Sequence, residues 1–141
     1  MTILDTNVLS ETLKVSPSPV VMGWLASLNA ETVFTTAITQ AEMLRGMEQL
    51  PAGRRKSQLS VALGNIFARE FDGRILAFDE DAAPEYAEIA ARRARAGRPI
   101  SQSDAMIAAI CKCHGAVAAT RNTSDFEHCG VKVIDPWGYR G

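Results

Sequence analysis

Met1-Thr2-Ile3-Leu4-Asp5-Thr6-Asn7 begins the chain with a short apolar run that stops abruptly at an acid. Such a run predicts a buried β-strand over Thr2–Leu4, with Asp5 directly after its carboxyl end. The same signature returns twice further along the chain, in Ile75–Asp79 and in Val131–Asp135. The pattern therefore predicts several short strands, each of which delivers an acid to one edge of a sheet.

Segments with apolar residues at helical spacing lie between the strands. The predicted helices run from about Asn7 to Lys14, Pro19 to Leu28, Thr39 to Leu50, Leu59 to Phe67, Glu80 to Ala96 and Asp104 to His114. Two further strands are predicted at Val33–Phe34 and Ala116–Ala119. Because strands alternate with helices, we expect an α/β fold with one domain over residues 1–141. Its central sheet has four to five short, mostly parallel strands flanked by helices.

The composition excludes several classes of protein. Fifteen Lys and Arg balance sixteen Asp and Glu, so the chain as a whole has no basic surplus for nucleic acid. A nucleic-acid partner would need local basic patches or bridging metal ions. No apolar run approaches the roughly 20 residues of a membrane span. Three cysteines are an odd and sparse set, which favours a reducing compartment, and we expect a cytoplasmic protein with no membrane partner.

Acids are expected to meet at one rim of the sheet, where parallel α/β sheets bind their ligands. Asp5, Asp79 and Asp135 directly follow predicted strands. Glu42 and Asp104 lie in the first turns of helices that begin at the same rim. The sequence therefore predicts an acidic cluster at the carboxyl ends of the strands.

A divalent cation would relieve the repulsion within such a cluster. Mg²⁺ prefers oxygen ligands and keeps several waters, so it needs few carboxylates. A bound cation of this kind lowers the pKa of a coordinated water and stabilises a leaving oxygen. It also bridges an acidic protein and an anionic substrate. The pattern is typical of metal-dependent phosphodiester hydrolysis.

Each acid also has a purely structural interpretation. A strand-end aspartate can form a turn, and a first-turn acid complements the helix dipole. Glu42 with Thr39 matches the Thr-x-x-Glu capping box. The other acids with such an interpretation are Asp5, Asp79, Asp104, Asp125 and Asp135. For Asp79 and Asp135 the structural interpretation is favoured, and for the rest both interpretations stay open.

Four segments resemble, in order and in spacing, the acidic motifs of PIN-domain ribonucleases. They are Met1–Asn7, Thr39–Gly46, Ser103–Ala108 and Ala119–Phe126. Val131–Trp137 is similar to the final strand and tail of that family. The resemblance covers essentially the whole chain and is greatest to the VapC-type toxins of toxin–antitoxin pairs, including their FitB-like branch.

The resemblance implies a metal site and the residues that form it. Asp5, Glu42 and Asp104 match the acids that hold Mg²⁺, for which Mn²⁺ substitutes. The fourth position of the family, often acidic, falls here on Asn122, with Asp125 three residues later. An uncharged Asn122 argues against a tightly held second ion.

Thr120 matches a hydroxyl position that orients a water or a phosphate, and the resemblance also implies the activity and the partners. A metal-activated water is expected to hydrolyse RNA phosphodiester bonds, which makes the chain an endoribonuclease toxin. The substrate is RNA, including tRNA, and the inhibitor is a cognate VapB-like antitoxin. Homodimers and larger toxin–antitoxin assemblies are implied as well.

Two other groups of residues invite a functional interpretation. Arg92, Arg93, Arg95 and Arg98 lie just before the Asp104 helix, and they either grip RNA or form a solvated helix end. Cys111 and Cys113 lie about 200° apart on a helix and so do not share one metal easily. Cys111 is expected in the core.

Two competing functions are considered. In the first, the acids only receive a basic partner peptide, and the chain is a non-catalytic binding module. In the second, Asp5, Asp79 and Thr120 form a receiver-like aspartyl-phosphate site. The second function is weakened because a receiver has a second acid beside Asp5 and a lysine after its last strand. Thr6-Asn7 and Asp135-Pro136 stand in those places.

Overall fold

Five strands, all parallel, form one central sheet in the computed structural model, which describes residues 1–141. They are β1 (Thr2–Leu4), β2 (Val33–Thr36), β3 (Ile75–Leu76), β4 (Val117–Ala119) and β5 (Val133–Ile134). Their order across the sheet is β3-β2-β1-β4-β5, which puts β1 in the middle. The predicted α/β architecture is confirmed, and the sheet is parallel throughout.

Six α-helices connect and cover the strands. They are α1 (Thr6–Glu11), α2 (Pro19–Ala26), α3 (Ala37–Glu48), α4 (Arg54–Asn65), α5 (Ala82–Arg95) and α6 (Gln102–Cys113). A π-helical turn, Ile66–Glu70, continues α4. None of the helices is long and apolar enough to cross a membrane.

The core has two halves, one on each face of the sheet. Neighbouring side chains of a strand point to opposite faces, so Ile3 lies in one half and Leu4 in the other. Ala118 and Ala119 divide in the same way. The Ile3 half is closed by α5 and α6, and it contains the buried Cys111, as predicted. The other half lies under α1 to α4.

Two helix starts differ from the prediction. Asp5, and not Asn7, caps α1, which ends at Glu11 rather than near Lys14. Thr36, and not Thr39, caps α3, since the Thr36 Oγ1 accepts from the Thr39 N–H at 3.1 Å. The capping box of Thr39 and Glu42 is therefore wrong, because β2 stays extended only as far as Thr36 and the helix begins at once.

Asp79 and Asp135 are turn formers, as the structural interpretation predicted. The Asp79 carboxylate accepts from the main-chain N–H groups of Asp81 and Ala82, both at 3.1 Å, and so opens α5. The Asp135 carboxylate accepts from the Trp137 N–H at 2.9 Å. Both acids are engaged locally and do not join the group described next.

Candidate active site

Asp5 and Thr120 become neighbours because β1 and β4 pair in register. Leu4 stands opposite Ala119, so the next residue of each strand emerges at the same edge of the sheet. The Asp5 N–H donates to the Ala119 carbonyl at 2.9 Å. The Thr120 hydroxyl then donates to the Asp5 Oδ2 at 2.8 Å. The sheet itself therefore fixes the first acid of the site.

The Asp5 carboxylate is buried, with 5% of the residue exposed, and is held on both oxygens. Its Oδ1 accepts from the Thr6 N–H at 2.8 Å, and its Oδ2 also accepts from the Asn7 side-chain amide at 3.2 Å. A carboxylate has about four lone-pair sites. These bonds and the one from Thr120 leave room for one further partner, such as a cation.

Thr120 is fully buried, and every hydrogen-bonding position of its hydroxyl is occupied. Besides donating to Asp5, its Oγ1 accepts from the Asn7 side-chain amide and from the Asn122 main-chain N–H, both at 3.1 Å. A hydroxyl offers one donor and two acceptor sites, and all are used. Thr120 therefore orients Asp5 and has no capacity left for a water or a phosphate.

Glu42 joins the site through a residue that sequence reasoning missed. The Thr6 hydroxyl donates to the Glu42 Oε1 at 2.8 Å and lies 3.1 Å from the Thr39 hydroxyl. Glu42 is exposed on the second turn of α3 and leans toward the carboxyl end of β1. The Asp-Thr-Asn order was visible in the sequence, but the contact across 36 positions required the fold.

Asp104 and Asp125 form the other side of the site. Asp104 lies in the first turn of α6, where its N–H donates to the Ser101 hydroxyl at 3.2 Å. Asp125 lies in the short 3-10 turn Thr123–Phe126 after β4. The Asp125 carboxylate takes part in none of the ion pairs of the chain.

Burial and mutual repulsion act on these acids together. Loss of hydration raises the pKa of Asp5; hydrogen bonds from Thr120 and Thr6 oppose this, and the charges of Asp104 and Glu42 add to it. Loss of hydration likewise raises the pKa of Asp104. There Ser101 and the Arg93 charge oppose the shift and the charge of Asp125 adds to it. The charges of Asp104 and Glu42 therefore raise the pKa of Asp5, and the charge of Asp125 raises the pKa of Asp104.

Asn122 and Asp125 have separate places. Asn122 is exposed, and its main-chain N–H supports Thr120. Asp125 is half-buried, and its charge acts on Asp104. Of the two residues, Asp125 is the one that adds negative charge to the site.

The site offers the oxygen ligands that a hard divalent cation prefers, although its acidic side chains do not converge on one point. All its donors are carboxylate, hydroxyl or amide oxygens, which Mg²⁺ prefers. Two of the carboxylates are penalised by burial and by like charge, and a cation would remove that penalty. No group of three Asp, Glu, His or Cys side chains converges closely enough to hold an ion without movement. The residues fit the ion in kind, and they would have to move closer together to bind it.

The arginine cluster before α6 is not a uniform basic surface. Arg93 is buried, with 4% exposed, so the interpretation of this residue as a grip on RNA is wrong. Arg92 pairs with Glu88, and Arg98 pairs with Glu127, each at 2.7 Å.

Comparison with known proteins accounts for this arrangement. Residues 2–132 match the family model of the PIN domain. The chain belongs to the PIN domain family. The confirmed resemblance extends over the four acidic motifs, and Asp5, Glu42 and Asp104 lie in three of them.

Toxins are among the relatives of this PIN domain. The chain is 39% identical to "VapC ribonuclease Y4jK" of Sinorhizobium fredii over 137 residues, which cover 97% of this chain and 98% of that protein. It is 42% identical to "Toxin FitB" of Neisseria gonorrhoeae, with 97% and 99% covered. It is 32% identical to "tRNA(fMet)-specific endonuclease VapC" of Shigella flexneri, with 95% and 96% covered.

Solved structures give the same assignment. A chain in the structure of FitAB bound to an IR36 DNA fragment superposes with a TM-score of 0.93 at 40% identity, covering 100% of this chain and 99% of that one. A chain in DNA-bound VapBC from Salmonella typhimurium gives a TM-score of 0.79 at 31% identity, covering 96% and 97%. This PIN domain therefore falls among the VapC and FitB toxins.

Proposed function

We propose that this PIN domain is the toxin of a toxin–antitoxin pair and acts as a Mg²⁺-dependent endoribonuclease. The observation that carries the proposal is the Asp5 carboxylate, fixed by Thr120 beside Glu42 and opposite Asp104 at the strand ends. An acid so constrained, and destabilised by its neighbours, is suited to a cation. The ribonuclease and endonuclease named among the relatives support the choice of RNA.

Asp5, Glu42 and Asp104 would hold the ion, with Asp125 nearby. When bound, Mg²⁺ would lower the pKa of a coordinated water and stabilise the charge that develops on the phosphoryl group and leaving oxygen. Thr120 keeps the Asp5 carboxylate in one orientation. Thr6 ties Glu42 to the same edge of the sheet, so that Glu42 can orient the attacking water.

The proposal extends to partners. A VapB-like antitoxin would occlude the acids with a basic side chain. The FitAB and VapBC complexes of relatives support a partner protein of this kind. The substrate would be RNA, with tRNA favoured by the name of the Shigella relative. A homodimer within a larger toxin–antitoxin assembly completes the proposal.

The test is cleavage of a bacterial RNA pool by protein freed of antitoxin, in Mg²⁺, Mn²⁺ or EDTA. Asp5→Asn and Asp104→Asn are assayed beside Asp72→Asn, which changes an exposed acid in the turn before β3. Cutting that needs the ion, is lost in the first two variants and persists in the third supports the proposal. Cutting that survives both site substitutions would sink it.

One observation favours a second candidate, a non-catalytic module that binds a basic peptide. The acids do not converge into a group of three as they stand. If the purified chain binds a basic antitoxin segment but neither binds Mn²⁺ nor cuts RNA, this candidate replaces the nuclease. The aspartyl-phosphate alternative is weakened, because Asp79 accepts hydrogen bonds at the start of α5 and is not among the charges that act on Asp5.

A further inference from the structure

Arg93 lies near the end of α5 and makes contacts that reach two other segments. Its guanidinium donates from Nε to the Arg98 carbonyl at 2.7 Å, and from Nη1 to the carbonyls of Asp125 and Glu127 at 2.7 and 3.0 Å. One buried side chain therefore ties α5 to the loop that leads into α6 and to the turn after β4. The loop leads to α6, whose first turn contains Asp104, and the turn contains Asp125.

The charge of Arg93 has no carboxylate partner. It takes part in none of the ion pairs of the chain, whereas Arg92 and Arg98 on either side are paired. Burying an ionised group is costly unless nearby dipoles and opposite charges compensate. The compensation here comes from main-chain carbonyls and from the acidic site, since Arg93 attracts Asp104.

The guanidinium of Arg93 satisfies three main-chain carbonyls and so fixes the position of the segments that contain them. Buried charged groups can often be replaced by apolar side chains of similar volume without loss of stability. What an apolar side chain cannot do is hold carbonyls in fixed positions. The bonds from Arg93 to the Arg98 and Asp125 carbonyls fix the loop before α6 relative to the turn that contains Asp125.

We propose that Arg93 is a positioning residue, which holds Asp125 beside Asp104 as the fourth acid of a divalent-cation site, while Asn122 only supports Thr120. The inference rests on the proposed function, because it assigns a ligand set to the same site. It adds that the affinity for the cation is set in part by a side chain that never touches the cation.

The first experiment measures Mn²⁺ binding by calorimetry and Mg²⁺-dependent RNA cleavage for the full chain, Arg93→Met and Arg93→Lys. Arg55→Met is the control, since Arg55 is an exposed arginine of α4. Loss of a supporting partner of a metal ligand costs about 10- to 100-fold in affinity or activity. We expect Arg93→Met to weaken Mn²⁺ binding and lower kcat by about tenfold, with the KM for RNA unchanged. Lysine keeps the positive charge and offers three N–H donors, so Arg93→Lys should recover part of the Mn²⁺ affinity and part of kcat.

The second experiment separates positioning from general stability. Asp125→Asn should weaken Mn²⁺ binding as much as Arg93→Met does, and the double variant should be no worse than either single variant. Asn122→Ala should leave Mn²⁺ affinity unchanged. Amide exchange should rise at 123–129 in Arg93→Met, because that segment loses its anchor.

The outcomes distinguish the two proposals. If the unaltered chain neither binds Mn²⁺ nor cuts RNA, the proposed function fails, whatever Arg93 does. If it does both, and folded Arg93→Met keeps the Mn²⁺ affinity and kcat of Arg55→Met, the positioning role is refuted. Should Arg93→Met fail to fold, full Mn²⁺ affinity in both Arg93→Lys and Asp125→Asn refutes it equally.

Discussion

The two sides of the acidic site are built in different ways. On the β1 side, the Asp5 carboxylate itself is fixed by hydrogen bonds to both of its oxygens. On the α6 side, Asp104 and Asp125 are placed through their main chains, by the start of a helix and by the carbonyl that accepts from Arg93. The comparison teaches that Asp5 is oriented at its carboxylate before any ligand arrives, whereas on the opposite side the main chains that carry Asp104 and Asp125 are what is fixed.

The largest effect that tests this contrast comes from Asp5→Asn. The new amide places N–H donors where Thr120 and Asn7 already donate, so this variant should lose stability as well as activity. We expect RNA cleavage to fall by more than about 100-fold, the upper range for loss of a mere supporting partner. Asp104→Asn should also lose activity while keeping its unfolding temperature or raising it. Equal changes in unfolding temperature for the two variants would contradict the contrast.

A smaller effect is expected from Thr120→Val, which keeps the shape and removes the hydroxyl. Asp5 stays in place but loses its orienting donor, and the Asn7 and Asn122 donors lose their acceptor. Cleavage should fall by about 10- to 100-fold, mainly in kcat. On the α6 side, Ser103→Ala alters a half-buried neighbour of Asp104 and serves as the control. A Thr120→Val enzyme with full kcat would show that the β1 side does not depend on preset orientation.

The helix caps offer a third comparison, in stability. Thr36 caps α3, which carries Glu42, and is buried; Ser101 caps α6, which carries Asp104, and is exposed. Losing a cap costs about 0.5–2 kcal/mol. We expect Thr36→Ala to lower the free energy of unfolding by about 2 kcal/mol, because a buried N–H is left unpaired, and Ser101→Ala to lower it by about 1 kcal/mol. Urea unfolding without Mg²⁺ measures both, and the reverse order would contradict the assignment.

The smallest effect concerns pH. Burial raises the pKa of Asp104 in the folded chain, so the folded state holds this proton more tightly than the unfolded state does. Ionisation of Asp104 therefore lowers the stability of the folded chain. This loss is absent below the pKa of the unfolded state and is complete once the pH exceeds the pKa of the folded state. Without Mg²⁺, Asp104→Asn should therefore be the more stable protein at neutral pH, and the difference should vanish as the pH falls through that range. Melting curves from pH 3 to 7 test this, and an advantage that persists in acid would refute it.

Much of the fold was predictable because the order of strands and helices follows from the spacing of apolar residues along the chain. Alternating strands and helices predicted the parallel sheet, and acids after strands predicted the rim where Asp5 lies. The boundaries were less predictable. Three threonines, Thr35, Thr36 and Thr39, compete to cap α3, and the choice depends on how far β2 pairs with its neighbours, which is a property of the sheet.

The finer chemistry of the site was not predictable from local sequence. The Thr6–Glu42 bond and the position of Thr120 each join distant segments. Arg93 stands among four arginines that are alike as a sequence pattern. Only the packing of α5 on the turn after β4 decides that this one is buried while the others reach solvent.

The bond between Thr120 and Asp5 spans 115 positions of the chain, and this separation has a consequence for synthesis. At about 5–20 residues per second, a ribosome needs roughly 6–23 s to proceed from Asp5 to Thr120. Until then β1 lacks its neighbour β4, and Asp5 lacks the hydroxyl that orients it. Asp5 is therefore oriented only after Thr120 has been synthesised, and the ribonuclease activity that we propose would begin no earlier than that.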